Sequence, residues 1–121
     1  MSVIPVSKPW LPDLEDLNRK LSEPWKTGIL THNGPLVREF ESRLEELWGV
    51  RNVIAVSNGT MAIQLAIRAL NLNGEIITSP FTWHATATAI KWEGCGVLFA
   101  DIDGKSLCLD PKEVKSRISE N

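Results

Sequence analysis

The sequence has 121 residues, 43% of them hydrophobic, which is enough for one small domain with a core. Its net charge of −2, with scattered lysines and arginines, gives nucleic acid no general attraction. No apolar stretch has membrane-spanning length and the start lacks a secretory signal, so we expect a cytoplasmic protein. The two cysteines and two histidines lack metal-ligand spacing, which predicts no metal site.

Residues 1–50 are predicted to hold two leading helices and a loop. Leucines on one face predict a first helix over Asp13–Leu21, and Pro24 is expected to end it. The loop Trp25–Pro35 is long for a compact domain and is a candidate for function or an interface. A second helix is predicted over Leu36–Trp48. Its acidic residues are interpreted as a solvated face: Glu39, Glu41, Glu45 and Glu46.

Residues 51–121 are predicted to alternate strands and helices. The predicted strands are Val53–Val56, Glu75–Ser79 and Val97–Ala100, and the predicted helices are Thr60–Leu70, Thr82–Trp92 and Asp110–Ile118. This β-α-β-α-β-α order favours an α/β fold, a three-layer α/β/α-type core with about three mainly parallel strands.

The junction after the first predicted strand is the best candidate for binding. Ser57-Asn58-Gly59 is predicted to be a turn in which Gly59 can take backbone angles closed to other residues. The helix that begins at Thr60 would then leave N–H groups free at its positive end, where phosphate binds well. The alternative is that Asn58 or Thr60 simply caps the helix. These residues alone leave both interpretations open.

Further polar and aromatic residues follow the other two predicted strands, where binding groups gather in α/β layers. Trp83, at a predicted helix start, can stack on a flat ring, and ordinary core packing is the alternative. His84 could be a base but is interpreted as a surface residue. Asp101 and Asp103 are interpreted as turn formers.

Four groups of residues together resemble the sugar aminotransferases of the DegT/DnrJ/EryC1/StrS family, which are fold-type I enzymes dependent on pyridoxal 5′-phosphate. The matching stretches are Gly28-Ile29 with Gly34-Pro35 and Phe40-Glu41, Ala55–Thr60 with Ala62, Thr78–Trp83 with Ala85-Thr86, and Phe99–Asp103 with Asp110-Pro111. The resemblance covers nearly the whole chain. It implies that residues 1–121 are the N-terminal part of the large domain of such an enzyme.

The resemblance assigns roles to single residues. It implies that Asn58, Gly59 and Thr60 hold the cofactor phosphate and that Trp83 stacks on the pyridine ring. It implies that the loop Gly28–Pro35 reaches toward the active site of a partner subunit. Enzymes of this family transfer an amino group, usually from glutamate, to a keto sugar attached to a nucleotide.

The resemblance also implies a Schiff-base lysine, and an aspartate on the pyridine nitrogen, beyond the matched positions. The lysines nearest to the matched residues stand in the wrong context for this role: Lys91, Lys105, Lys112 and Lys115. We therefore expect the isolated chain to be non-catalytic, with weak or absent cofactor binding. A truncated gene and an expressed fragment both fit this expectation. A non-catalytic anion-binding or oligomerising α/β module is the alternative function.

A homo-oligomer, most simply a dimer, is expected from two features of the sequence. Val53–Val56 needs a strand partner, either Glu75–Ser79 or Val97–Ala100 in a small sheet or a second copy of the chain. The apolar faces of Leu36–Trp48 and Met61–Leu70 would be partly bare in a monomer. The expected interface is built from these helices and the proline-rich start.

Overall fold

The computed structural model describes residues 4–118, so the first three residues of the proline-rich start and the last three of the predicted domain lie outside the described part. The helices of this part are α1 (Leu14–Thr27), α2 (Pro35–Trp48), α3 (Gly59–Ala69), α4 (Ala85–Trp92) and α5 (Pro111–Arg117). The strands are β1 (Glu75–Thr78) and β2 (Gly96–Phe99). The chain divides into two units between Ala55 and Val56, and each unit is described by itself.

The first unit begins with α1, which is capped by Asp13 through a 2.8 Å hydrogen bond from the Glu15 N–H to its Oδ1. The prediction that Pro24 ends this helix is wrong, because α1 continues to Thr27. A proline removes only one N–H donor from a helix, and its carbonyl can still accept a hydrogen bond from the following turn. The Gly28 N–H donates to the Pro24 carbonyl at 2.9 Å, with Gly28 in the left-handed region at a φ of 69°.

Helix α2 agrees with its predicted position. Pro35 occupies the first turn, where a missing N–H costs nothing, and Gly49 follows the last residue as C-cap. An ion pair of 2.5 Å joins Lys20 of α1 to Glu39 of α2. This contact between exposed side chains adds little stability, but it links the two helices of the first unit.

Val53–Val56, predicted as the first strand, does not form a strand in the structure. Two of its four backbone N–H groups donate to side chains of α2. The Val53 N–H donates to Glu45 Oε1 at 3.0 Å, and the Ala55 N–H donates to Glu41 Oε1 at 2.7 Å. The interpretation of Glu41 and Glu45 as part of a solvated face is therefore wrong, because these two carboxylates stand where a neighbouring strand would supply carbonyl groups.

The second unit contains a parallel sheet of β1 and β2, in register from Glu75 opposite Gly96 to Thr78 opposite Phe99. The pairing extends beyond the strands, since the Ala100 N–H donates to the Thr78 carbonyl at 2.9 Å. The predicted α/β class and parallel arrangement are confirmed. The sheet of the described residues has two strands instead of about three, because residues 53–56 do not join it.

Helices cover this sheet and form a small core. Helix α3 packs against α4, and α4 packs against both strands. Ile67 of α3, Ile90 of α4 and Cys95 form the buried cluster. Partly buried side chains surround it: Ile63, Ile76 and Val97. Helix α5 begins as predicted, with the Asp110 carboxylate accepting the Lys112 N–H at 2.8 Å.

A carboxylate at the end of α4 ties this helix to α3. Glu93 accepts from Gln64 Nε2 at 3.1 Å and pairs with the Arg68 guanidinium. The Glu93 side chain is 9% exposed, whereas that of Arg68 is 74% exposed. The carboxylate is therefore largely removed from water and relies on these two donors.

We expect Glu93→Ala to lower the free energy of unfolding by about 1–3 kcal/mol, since it removes an acceptor that satisfies two side chains across α3 and α4. Urea denaturation followed by circular dichroism measures the change. Glu46→Ala, at an exposed position of α2, is the control and should change stability by less than about 0.5 kcal/mol. Equal effects of the two variants would contradict a specific role for Glu93.

Candidate functional site

The start of α3 combines a capped turn with free backbone donors. Asn58 is extended, with φ −167° and ψ 169°, and its Oδ1 accepts the Met61 N–H at 2.9 Å. Of the two interpretations left open by the sequence, the cap is therefore present at Asn58. The N–H groups of Gly59 and Thr60 lie in the first turn of α3, where no carbonyl of the same helix is available to accept them. Neither donates to another residue within 4–118. The cap and an anion site are compatible at this helix start.

Gly59 does not need the special backbone angles that the sequence suggested. It is the first residue of α3 and is not among the glycines with positive φ, so the backbone freedom of glycine is not used at this position. A Cβ built at Gly59 would meet no heavy atom within 4 Å. The glycine instead keeps open the space beside the free N–H groups, where a ligand atom can approach the backbone.

Trp83 lies in the loop between β1 and α4. The predicted helix over Thr82–Trp92 begins three residues later, at Ala85. The Trp83 side chain is 74% exposed, so the alternative of ordinary core packing does not apply. Its ring contacts the imidazole of the exposed His84, with the ring centroids 4.8 Å apart and the planes tilted by 43°.

Ser79 shapes the bend between β1 and α4, and the sequence analysis did not single out this residue. Its side chain is buried, and its Oγ accepts the Phe81 N–H at 2.9 Å. This local bond holds the chain in a bend directly after β1. The available signal was a serine immediately before Pro80, which is typical of such turns.

Asp101 and Asp103 follow β2. Asp103 begins a turn as predicted, whereas the prediction of a turn at Asp101 is wrong, because its carbonyl accepts the Asp110 N–H at 3.0 Å beside the antiparallel bridge of Ile102 with Leu109. Asp101 Oδ1 accepts the Ile102 N–H at 2.8 Å. Asp103 Oδ1 accepts the N–H groups of Ser106 at 2.8 Å and Lys105 at 3.2 Å. The Ser106 N–H, followed by the Ser106 hydroxyl and the Lys105 N–H, lowers the pKa of Asp103 because all three stabilise the charged carboxylate.

This lowered pKa predicts a pH dependence for the turn. A folded pKa below the unfolded value of about 3.9 gives stability that is present above that pH and lost as the pH falls through the folded pKa. We expect an NMR titration of the Asp103 carboxyl carbon to have its midpoint below about 3.9. Ser106→Ala should move the midpoint upward, and an unchanged midpoint would contradict the role of the hydroxyl.

The structure places three of the predicted site residues side by side. Asn58, Gly59 and Thr60 meet at the start of α3. The loop with Trp83 follows β1 and Asp101 follows β2, so both lie at the carboxyl ends of the parallel strands. No hydrogen bond between residues in 4–118 joins Trp83 to the start of α3.

Within 4–118, no helix has the length and apolar character needed to cross a bilayer. The side chains described there do not bring three histidine, cysteine, aspartate or glutamate residues into a metal-binding group.

The second unit thus has a helix start with free N–H groups, which can bind phosphate, and an exposed indole, which can stack on a flat ring. The sequence pattern of the DegT/DnrJ/EryC1/StrS aminotransferase family matches residues 13–121. The chain belongs to this family. The resemblance inferred from the sequence is thereby confirmed.

Three relatives illustrate the match. Over 116 residues the chain is 37% identical to the dTDP-4-amino-4,6-dideoxy-D-glucose transaminase of Escherichia coli, covering 96% of this chain and 31% of that protein. The crystal structure of DesI in the presence of its TDP-sugar product has a TM-score of 0.84 and 39% identity, covering 89% of this chain and 28% of that one. NtdA from Bacillus subtilis, with bound cofactor PMP, has a TM-score of 0.82 and 34% identity, covering 88% and 25%.

Two facts follow from these relatives. The chain spans about a third or less of the length of each of them. The cofactor of the family is pyridoxal 5′-phosphate, as in the related structure with bound hydrated PLP, or its aminated form, as in NtdA. The start of α3 fits such a group, since it offers free N–H donors and a space that a Cβ at Gly59 would fill.

Proposed function

We propose that this chain forms the N-terminal part of a pyridoxal phosphate-dependent aminotransferase that transfers an amino group from glutamate to a nucleotide-linked keto sugar. Membership of the aminotransferase family supports the reaction. The observation that carries the proposal is the start of α3, where free N–H groups adjoin an open space at Gly59. Cytoplasmic location is part of the same proposal.

The proposed cofactor site consists of Asn58, Gly59, Thr60 and Trp83. The N–H groups of Gly59 and Thr60 would donate to the cofactor phosphate, and the positive end of α3 would favour its negative charge. Asn58 supports them, since its side chain fixes the first turn of the helix. The indole of Trp83 would stack on the pyridine ring and keep water from that face.

These residues bind and orient, and they transfer no proton themselves. The cofactor, when bound, supplies the electron sink that amino-group transfer requires. Residues 1–121 contain no lysine that the family resemblance places in the covalent step, so the chain alone should not transaminate. Incubation with pyridoxal phosphate and borohydride should label no single lysine stoichiometrically. Labelling of one lysine together with amino transfer from glutamate would contradict this.

A homodimer is proposed as the assembly. Large apolar side chains are exposed on α2, including Phe40, Leu47 and Trp48, and on α3, including Met61 and Leu65. Exposed apolar surface of this kind drives association. Light scattering on a sizing column should give twice the mass of the chain, 27 kDa in place of 13.5 kDa (2 × 13.5). A monomer across a wide concentration range would contradict the proposal.

The cofactor site is tested by NMR titration of the ¹⁵N-labelled chain with pyridoxine 5′-phosphate. This probe keeps the ring and phosphate but lacks the aldehyde, so it cannot react with surface lysines. We expect the amide signals of Gly59 and Thr60 and the indole N–H signal of Trp83 to shift together. Inorganic phosphate should shift only the two amides. Shifts confined to other residues would overturn the proposed site.

A further inference from the structure

We propose that His84 is a positioning residue for Trp83, and that its imidazole holds the indole in the orientation that receives the flat ring of the ligand. This inference rests on the proposed cofactor site. The two rings are in contact, with centroids 4.8 Å apart and planes tilted by 43°. This separation lies within the range of favourable aromatic pairs.

The backbone on which both rings sit is fixed at the start of α4. The Thr86 N–H donates to the Trp83 carbonyl at 3.0 Å. The His84 carbonyl accepts two bonds from Thr88, one from its N–H and one from its hydroxyl, both at 3.1 Å. The main chain of Trp83 and His84 is therefore anchored, and what remains to be fixed is the orientation of the two side chains.

The His84 side chain does not cap helix α4, so capping does not explain its position. It occupies the N-cap position of α4, where serine, threonine, aspartate and asparagine are preferred because their side chains accept helix N–H groups. The His84 side chain makes no such bond. Its imidazole lies against the Trp83 indole instead.

Trp83 needs such a neighbour because the core does not hold it. With 74% of its side chain exposed, the indole would otherwise sample several rotamers. When a ligand stacks on a mobile indole, the side chain loses conformational entropy and binding is weakened. An indole that is already oriented loses less entropy on binding. We expect the contact with His84 to strengthen binding of a flat ring about three- to tenfold.

The test compares three variants by NMR titration with pyridoxine 5′-phosphate and, separately, inorganic phosphate. His84→Ala removes the ring, His84→Phe keeps an aromatic ring, and His84→Ser removes the ring but supplies a good cap. His84→Ala and His84→Ser should weaken pyridoxine phosphate binding about three- to tenfold and leave phosphate binding unchanged. His84→Phe should restore wild-type affinity. Nuclear Overhauser contacts between the two rings should be present in the unliganded wild-type chain.

The outcomes separate the inference from the site on which it rests. If pyridoxine phosphate shifts the Trp83 signal and all variants bind it equally, His84 has no positioning role and the inference is overturned. If His84→Ser alone regains affinity, the role is helix capping and the inference is again overturned. If the wild-type chain binds without any change at Trp83, the proposed cofactor site fails, and the role of His84 in it fails with it.

Discussion

Replacing Ile90 by alanine is expected to lower the free energy of unfolding of the second unit by about 2–5 kcal/mol. Ile90 is 2% exposed and is the largest fully buried side chain of the described residues. It packs with Ile67 and Cys95 between α3, α4 and the sheet, so its removal leaves a cavity at the centre of a small core. Since whole domains are stable by only about 5–15 kcal/mol, much of the second unit should unfold.

Urea denaturation followed by circular dichroism measures this loss. Ile54→Ala is the matched control, because it deletes the same atoms from a side chain that is 79% exposed. Its effect should stay within about 0.5 kcal/mol. Comparable losses from both variants would mean that the cluster around Ile90 is not the core of the second unit.

Replacing Gly59 by valine should weaken phosphate binding at least about tenfold while leaving the fold intact. The valine methyl groups would occupy the open space beside the N–H groups of Gly59 and Thr60. The helical backbone at Gly59 accepts a side chain without strain, so stability should not fall. Titration with inorganic phosphate, read at the Thr60 amide, measures the affinity.

Gly104→Val is the control for this substitution. Gly104 also has open space around a Cβ and lies in the turn after β2, away from the start of α3 in sequence. Its replacement should leave phosphate affinity unchanged. Phosphate binding by Gly59→Val at wild-type strength would show that the anion does not approach the backbone of α3.

Much of the fold could be predicted, since local chemistry decides it. Helix ends are marked by local backbone preferences that need no tertiary partner. Examples are Gly49, which follows α2, and the pair Asp110-Pro111, which begins α5. The parallel arrangement of β1 and β2 followed from the alternation of strands and helices. The family could also be predicted, because its motifs and their order can be seen in the sequence itself.

The errors arose where a contact distant in sequence, or a local side-chain bond, overrides a pattern. Val53–Val56 has the composition of a strand, but a strand exists only with a partner, and Glu41 and Glu45 take its donors first. Pro24 predicts a helix end, but the helix continues to Thr27, and the Gly28 N–H donates to the Pro24 carbonyl. At the candidate site, the capping role of Asn58 was foreseen as one of two possibilities, whereas the bend made by Ser79 was not foreseen.

The hydrogen bonds from Val53 and Ala55 to the two glutamates occupy N–H donors along one edge of this segment. Successive residues of an extended chain point their N–H groups to opposite edges, so Ile54 faces away from the edge that the carboxylates occupy. A carboxylate only accepts hydrogen bonds, and an incoming strand would find the donors of that edge already taken. A strand could pair fully with that edge only by displacing the two carboxylates, which lowers the tendency of this apolar segment to add further strands.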